Sequence, residues 1–437
     1  MARATDARRQ ALALLGERRR RDARARDLLR ASSELDALTE RDRAFATRLV
    51  LGATAAEGAL DHFLDGHLRR GARLEPRVRD ALRLSSFELL YLDGRADVCV
   101  SQGVELVRGV APRAAGLANA VLRRVAEVDV AAVAAARRRV SDGVFDAGDL
   151  ALVGALPTWL CERALESLGD ADAAAWARGA LEPAGAWVAG FKRGQTPFES
   201  LLRDAGCAPE EGPLPGSYLL GAPARLAPSG LVERVDVIPC DLAAQEVARA
   251  AAPAPGERVL EVGQGRGTKT LLLEGAACAA GGPCEIVAVE VSPRKSELAA
   301  RRMEAAGISG HVRCVCADGR RLGDDLGLFD LVFLDAPCTG TGTLARHPEI
   351  AWSLALDAAH ELASLQRELL ASAASRVAPG GRLVYATCSI LAEEDEHVVE
   401  SLLASPLGAA FELVRSGRTA VRPGVDTHFH AELRRRA

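Results

Sequence analysis

From residue 242 onward the chain alternates between two periodicities. Short runs rich in Val, Leu and Ile fall at Arg258–Val262, 285–289, 312–315, 330–334 and 382–386. Helix-forming stretches lie between them, notably Pro293–Ala306 and 358–376. Strand–helix alternation is the pattern of an α/β fold with a doubly wound sheet. Such a sheet binds its ligands in the crevice outside the carboxyl ends of the strands. The residues that close each run are therefore the first candidates for a site. The Pro-Gly-Gly of residues 377–381 predicts a turn just before the last strand.

The other residues are organised differently. Residues 1–140 repeat apolar side chains at three and four, as in Ala11, Leu14 and Leu15, which predicts a bundle of five to seven helices. Thr39 with Asp42 three residues on reads as a helix start. Residues 141–235 mix a helix or two with strand candidates at 186–191 and Ser217–Leu220, a helix-like stretch from Thr196 to Arg203, and a segment rich in Pro and Gly. This predicts a small α+β connecting module. Residues 236–437 form the doubly wound domain.

A chain of 437 residues is long enough for two or three domains. No apolar run approaches the roughly 18 residues of a membrane span. The apolar run from Ala11 to Leu15 is too short for a signal-peptide core. Ten cysteines without short regular spacings make neither a disulfide framework nor a zinc site, and point to a reducing cytoplasm. Residues 1–140 carry 27 Lys+Arg against 19 Asp+Glu, whereas the remainder carries 28 against 40. The basic first third suits a polyanion partner or, equally, arginine-rich solvated helix faces. The only lysines are Lys192, Lys269 and Lys295. A compact ammonium in a chain that otherwise uses arginine marks a place to inspect.

The run Arg258–Val262 leads into Gly263, Gln264, Gly265, Arg266, Gly267, Thr268 and Lys269. The glycines let the backbone turn tightly and approach a ligand closely. The spacing is GxGxG and not the dinucleotide GxGxxG, so a bound pyrophosphate is not indicated. Glu261 suits a cationic ligand. Glu290, at the end of the next strand, can accept ribose hydroxyls. Asp318, after the third, can meet an adenine amino group. A glycine loop with these acids suits S-adenosylmethionine, an adenosine with a sulfonium and no phosphates.

Two further strands end in thiols, at Cys338 after Asp335-Ala-Pro and at Cys388 after Tyr385-Ala-Thr. Methyl transfer to an amine or an oxygen needs no cysteine, but transfer to an unactivated ring carbon does. Carbon 5 of cytosine becomes nucleophilic only after a thiolate adds to carbon 6. A base must then remove the C5 proton, and a carboxyl near N3 and N4 stabilises the intermediate. Cys278, Cys284 and Cys316 are accounted for as small buried hydrophobes.

Asp335-Ala-Pro-Cys338-Thr-Gly and Tyr385-Ala-Thr-Cys388-Ser resemble the two signature motifs of the RNA cytosine-C5 methyltransferases. Arg346-His-Pro-Glu-Ile350 with Trp352 resembles the segment that accompanies the first motif in the RsmB/Sun branch, which acts on bacterial small-subunit (16S) ribosomal RNA. The helical front, with Asp42-Arg-Ala-Phe-Ala46, Leu90-Tyr-Leu-Asp93 and Asn119-Ala-Val-Leu-Arg-Arg124, resembles the NusB-like RNA-binding domain fused to it. The resemblance spans almost the whole chain. It implies a Rossmann-like methyltransferase domain in which Cys388 is the nucleophile, Cys338 assists product release, and Asp335 contacts both the cytosine and the methyl donor. It also implies RNA as partner, with no DNA and no membrane. The sequence departs from the family pattern at Glu261–Thr270, Cys240-Asp241, Ala189-Gly-Phe191 and Asp426–Phe429. An RNA-binding assembly factor with a decayed methyltransferase domain is the alternative these departures leave open.

Overall fold

Leu331, Val332, Phe333 and Leu334 are all fully buried, which fixes their strand as the middle of a sheet covered on both faces. Each contributes about 1.5–3 kcal/mol by leaving water. The structure, a computed structural model, describes residues 4–191 and 197–437. Lys192 and Thr196, named above, lie outside the described residues.

The chain divides into two units. The first is Met1–Pro183 with Leu344–Ser353, and the second is Ala184–Thr343 with Leu354–Ala437. Among the described residues, nine α-helical segments run from Asp6 to Asp142, more than the five to seven expected, because short helices at Ala25–Ala31 and Ser33–Asp36 fill the gap between long ones. The Thr39 side chain caps the helix Glu40–Ala55, accepting from the Asp42 N–H at 3.1 Å. The helices Ala147–Gly154 and Thr158–Gly179, expected in the connecting module, belong to the first unit. Their apolar faces, with Leu150, Leu160 and Trp176 buried, account for the difference. Among the described residues no helix is long and apolar enough to cross a membrane.

The second unit holds two sheets. The smaller comprises β1 (Trp187–Gly190), β2 (Pro209–Glu211), β3 (Ser217–Leu220) and β4 (Val237–Pro239), in the order β2-β3-β1-β4. The larger comprises β5 (Arg258–Val262), β6 (Glu285–Glu290), β7 (Val312–Cys316), β8 (Phe329–Asp335), β9 (Val377–Thr387), β10 (Phe411–Arg418) and β11 (Phe429–Arg435). Its order is β10-β11-β9-β8-β5-β6-β7. Strands β5 to β9 are parallel, and the two last strands are antiparallel additions. The turn expected at 377–381 is instead the irregular start of β9. Val377 pairs with Phe329, and the register then shifts so that Arg382 pairs with Leu331.

The chain runs outward from β5 through β6 to β7, then returns to the other side of β5 as β8. That reversal creates the crevice in which doubly wound sheets bind ligands. The loop after β5 and the end of β8 flank it.

Candidate active site

The loop after β5 meets the end of β8 at Gly263. Its φ is 88°, and a Cβ there would lie 2.1 Å from the Asp335 carbonyl oxygen. Only glycine permits this approach. Lys269, in the first turn of the helix Thr268–Ala280, places Nζ 2.7 Å from Asp335 Oδ2. Burial works against its charge, but the Asp335 carboxylate outweighs burial and holds the ammonium above its ordinary range.

The strand-end acids have distinct settings. Glu261 is fully buried; Thr270 Oγ1 donates to its Oε2 at 2.5 Å, while Oε1 has no hydrogen-bond partner among the described residues. Burial pushes this carboxyl up to about 8. Glu290 accepts the N–H of Gly265 and that of Ser292, each at 2.8 Å, and so fixes the glycine loop. Gln264 donates to Cys314 Sγ at 3.1 Å. Arg266 and Thr268 both accept from Arg302, through the Arg266 carbonyl and the Thr268 hydroxyl. Gly267 caps the helix that follows. Asp318 is apart from these contacts. Hydrogen bonds from the Arg320 guanidinium hold its carboxyl down at about 2.

Beside Asp335 the two thiols meet. Adjacent parallel strands β8 and β9 carry Cys338 and Cys388 to the same edge, with Sγ to Sγ 3.2 Å. Cys338 Sγ also accepts the Cys388 N–H at 3.3 Å. The hydrogen bond to Cys388, then burial, raises the Cys338 thiol well above its ordinary value. The two thiol-bearing turns are stitched together: Ala336 N–H bonds the Ala386 carbonyl, and Gly342 N–H bonds the Cys388 carbonyl. Gly342 leaves no room for a side chain, since a Cβ would lie 1.9 Å from the Thr427 carbonyl oxygen.

This constellation is an adjacent thiol pair, an ammonium–carboxylate pair and a glycine loop at one switch point. The residues fit S-adenosylmethionine. A buried acid with a free acceptor oxygen suits a cationic group, and the strand-end acids offer nothing to a phosphate.

The comparisons with known proteins show the family and the fold. Residues 248–420 match the family described as 16S rRNA methyltransferase RsmB/F, and residues 5–127 match the NusB family. Ribosomal RNA small subunit methyltransferase B of Thermus thermophilus is 35% identical over 427 residues, 95% of this chain and 94% of that protein. The chain belongs to the RsmB family of RNA methyltransferases.

The RsmB protein of Xanthomonas campestris is 30% identical over 85% of this chain and 83% of its own length. The crystal structure of PH0851 superposes with TM-score 0.74 over 99% of both chains at 23% identity. A methyltransferase homologue from Pyrococcus horikoshii superposes at TM-score 0.55, 20% identical, over 66% of this chain and 98% of that one. The RsmB fold, a NusB-type helical front and a Rossmann-like S-adenosylmethionine-dependent domain, is the one described above.

Two of the segments where this sequence departs from the family pattern meet. Asp241 caps the helix Leu242–Ala251 and accepts the N–H of Asp426 at 3.1 Å. Residues that the sequence reading missed sit behind the thiols. Glu394 and Asp395 are fully buried. In the sequence they form the middle of Glu393-Glu-Asp-Glu396, directly before the helix Glu396–Leu403. Acids at a helix start are explained by the helix dipole alone, so nothing singled these two out.

Proposed function

We propose that the protein methylates carbon 5 of a cytosine in RNA, namely small-subunit (16S) ribosomal RNA, through a covalent adduct with Cys388. The observation that carries this reading is the 3.2 Å approach of Cys338 and Cys388 Sγ beside the Lys269–Asp335 pair. Transfer to an amine or an oxygen would give the two adjacent thiols no purpose, whereas transfer to a pyrimidine ring carbon does.

Cys388 Sγ, as thiolate, adds to C6 of the flipped-out base, and the C5=C6 bond opens so that C5 becomes nucleophilic. Asp335 faces N3 and N4, where charge accumulates. S-adenosylmethionine, when bound, supplies the methyl group. A base then takes the C5 proton, C5=C6 re-forms, and the C6–S bond breaks to return the Cys388 thiolate. Cys338, 3.2 Å away, is placed to assist that release. Glu261, the loop from Gly263 to Lys269, Glu290, Asp318 and Asp335 would hold the donor. In this reading Glu261 Oε1 takes its ammonium, Glu290 its ribose and Asp318 its adenine amino group. The basic helical stretch of residues 1–140 supplies the RNA-binding surface.

The test is mass spectrometry of ribosomal RNA incubated with the intact protein and isotopically labelled donor. The expected product is labelled 5-methylcytosine. RNA that stays unlabelled in both naked and particle form would overturn the reading.

A further inference from the structure

Behind the thiols one carboxylate touches both turns. Glu394 Oε1 accepts the Thr339 N–H at 2.9 Å and Gln366 Nε2 at 3.0 Å. Glu394 Oε2 accepts the Ser389 hydroxyl at 2.6 Å and the hydroxyl of Thr339. Thr339 follows Cys338, and Ser389 follows Cys388. Gln366 Nε2 also donates to the Pro337 carbonyl at 2.8 Å, on the other side of Cys338. Asp395, the next residue, accepts the Thr387 hydroxyl at 2.5 Å, on the other side of Cys388. Arg418 in turn binds Asp395 at 2.9 Å. The Glu394 backbone is itself fixed, because Tyr385 of β9 donates its hydroxyl to the Glu394 carbonyl at 2.5 Å.

We propose that Glu394 is a positioning residue that sets the Cys338–Cys388 spacing, its buried carboxylate binding the residue after each thiol. The geometry is specific. All four lone pairs of the carboxylate are occupied, two by obligate N–H donors and two by hydroxyls. A fully buried carboxyl is costly to place, and it is tolerated here because every acceptor is satisfied. Thr341 Oγ1 also reaches both hydroxyls, 3.4 Å from Thr339 Oγ1 and 3.2 Å from Ser389 Oγ, but Glu394 bonds Ser389 Oγ at 2.6 Å and takes the Thr339 N–H as well. The thiols of two adjacent strands are held only as well as the turns that carry them. A displacement of about 1 Å at a reacting atom costs on the order of a hundredfold in rate.

A trivalent arsenical reads the spacing without RNA. Phenylarsine oxide forms two S–As bonds with a thiol pair, and its oxygen leaves as water with the two thiol protons. The capture that depends on both Cys338 and Cys388 is scored by mass against Cys338→Ala and Cys388→Ala controls. Glu394→Ala is expected to weaken that capture by about tenfold or more, with S-adenosylmethionine affinity, measured by calorimetry, held within about threefold. Glu394→Gln keeps the shape. Its oxygen can face the two N–H donors and its amide the two hydroxyls, which can turn to accept. It is expected to restore capture to within about threefold of wild type. If Glu394→Ala does not fold, Thr339→Val with Ser389→Ala removes the hydroxyl donors instead and should weaken capture in the same direction.

Capture that is unchanged in Glu394→Ala or the double variant, or equal in wild type and Cys338→Ala, overturns the proposal. The role in catalysis rests on the cytosine-methylation reading, and the two fail separately. Glu394-dependent capture in a protein that methylates no RNA would sink that reading and leave the positioning role standing. Normal methylation with Glu394-independent capture would do the reverse.

Discussion

Lys269 Nζ lies 2.7 Å from Asp335 Oδ2, joining the glycine loop after β5 to the end of β8 through one partly buried ion pair. The pair brings a scarce lysine and a motif aspartate together, and the thiols lie within its electrostatic reach. A point charge suits this place better than the planar fork of arginine.

Lys269→Met should therefore cost more than a surface charge would. The Asp335 carboxylate would lose its partner, for a stability loss of about 1–3 kcal/mol. Removing a positive charge near the thiols disfavours the thiolate, so the acid limb of the pH–rate profile moves to higher pH. Lys269→Arg should not restore the rate. A profile that coincides with wild type in Lys269→Met would remove the lysine from the mechanism.

The two cysteines should fail in different ways. Cys388→Ala is expected to abolish methyl transfer, because no covalent bond to C6 can form. Cys338→Ala should let the RNA–protein adduct accumulate, visible as a shifted band on a denaturing gel. A Cys388→Ala protein that still transfers methyl, with no adduct from Cys338→Ala, would reverse the assignment.

Glu261 should make donor binding depend on pH. Burial raises its carboxyl from 4.5 to about 8, so the group is neutral at pH 7. A cationic donor favours the ionised form, so affinity should rise as pH rises toward about 8, with a proton released on binding across the same interval. Without donor the sign is opposite. The folded state holds this proton after the unfolded chain has lost it, so stability falls as pH rises from 4.5 to about 8. Calorimetry in buffers of different ionisation heat measures the proton, and Glu261→Gln should remove both dependences. A donor affinity flat across this window would refute the contact.

Gly263→Ala is expected to disable donor binding. Its Cβ would sit 2.1 Å from the Asp335 carbonyl, and its φ of 88° is strained for any side chain. Strain of this kind costs about 1–3 kcal/mol before the clash is counted. Thermal unfolding and donor titration should both register it, and an unaltered titration would mean that the loop has another way to close.

Much of the doubly wound domain was legible because burial on both faces writes continuous apolar runs. β5 and the helix Pro293–Ala306 fall where the sequence put them, and β6 to β8 fall within a residue. The antiparallel strands were not read. β11 buries Phe429, Ala431 and Leu433 in alternation, but charged side chains interrupt the pattern and the segment spans only seven residues. β10 is an edge strand with most side chains exposed, so it carries little apolar signal. At the site, the thiols and Asp335 stood out because their chemistry is rare at strand ends. Glu394 did not, because its meaning lies in four donors that are distant in sequence, and a row of acids before a helix has an ordinary explanation.

Ten residues of the helical unit come late. Leu344–Ser353 belongs to the first unit, where Trp352 Nε1 donates to the Ala155 carbonyl at 3.0 Å and its ring covers Gly58. Arg26 holds the carbonyls of Ala345 and Arg346 from the same unit. A fragment ending at Pro183 leaves all of these groups without their partners. On the ribosome, where chains fold from the N-terminus as they emerge, the helical unit has its full complement of residues only after Cys338 has been made and before Cys388 has. The first-made part of the protein is thus finished between the syntheses of the two thiols of the candidate site.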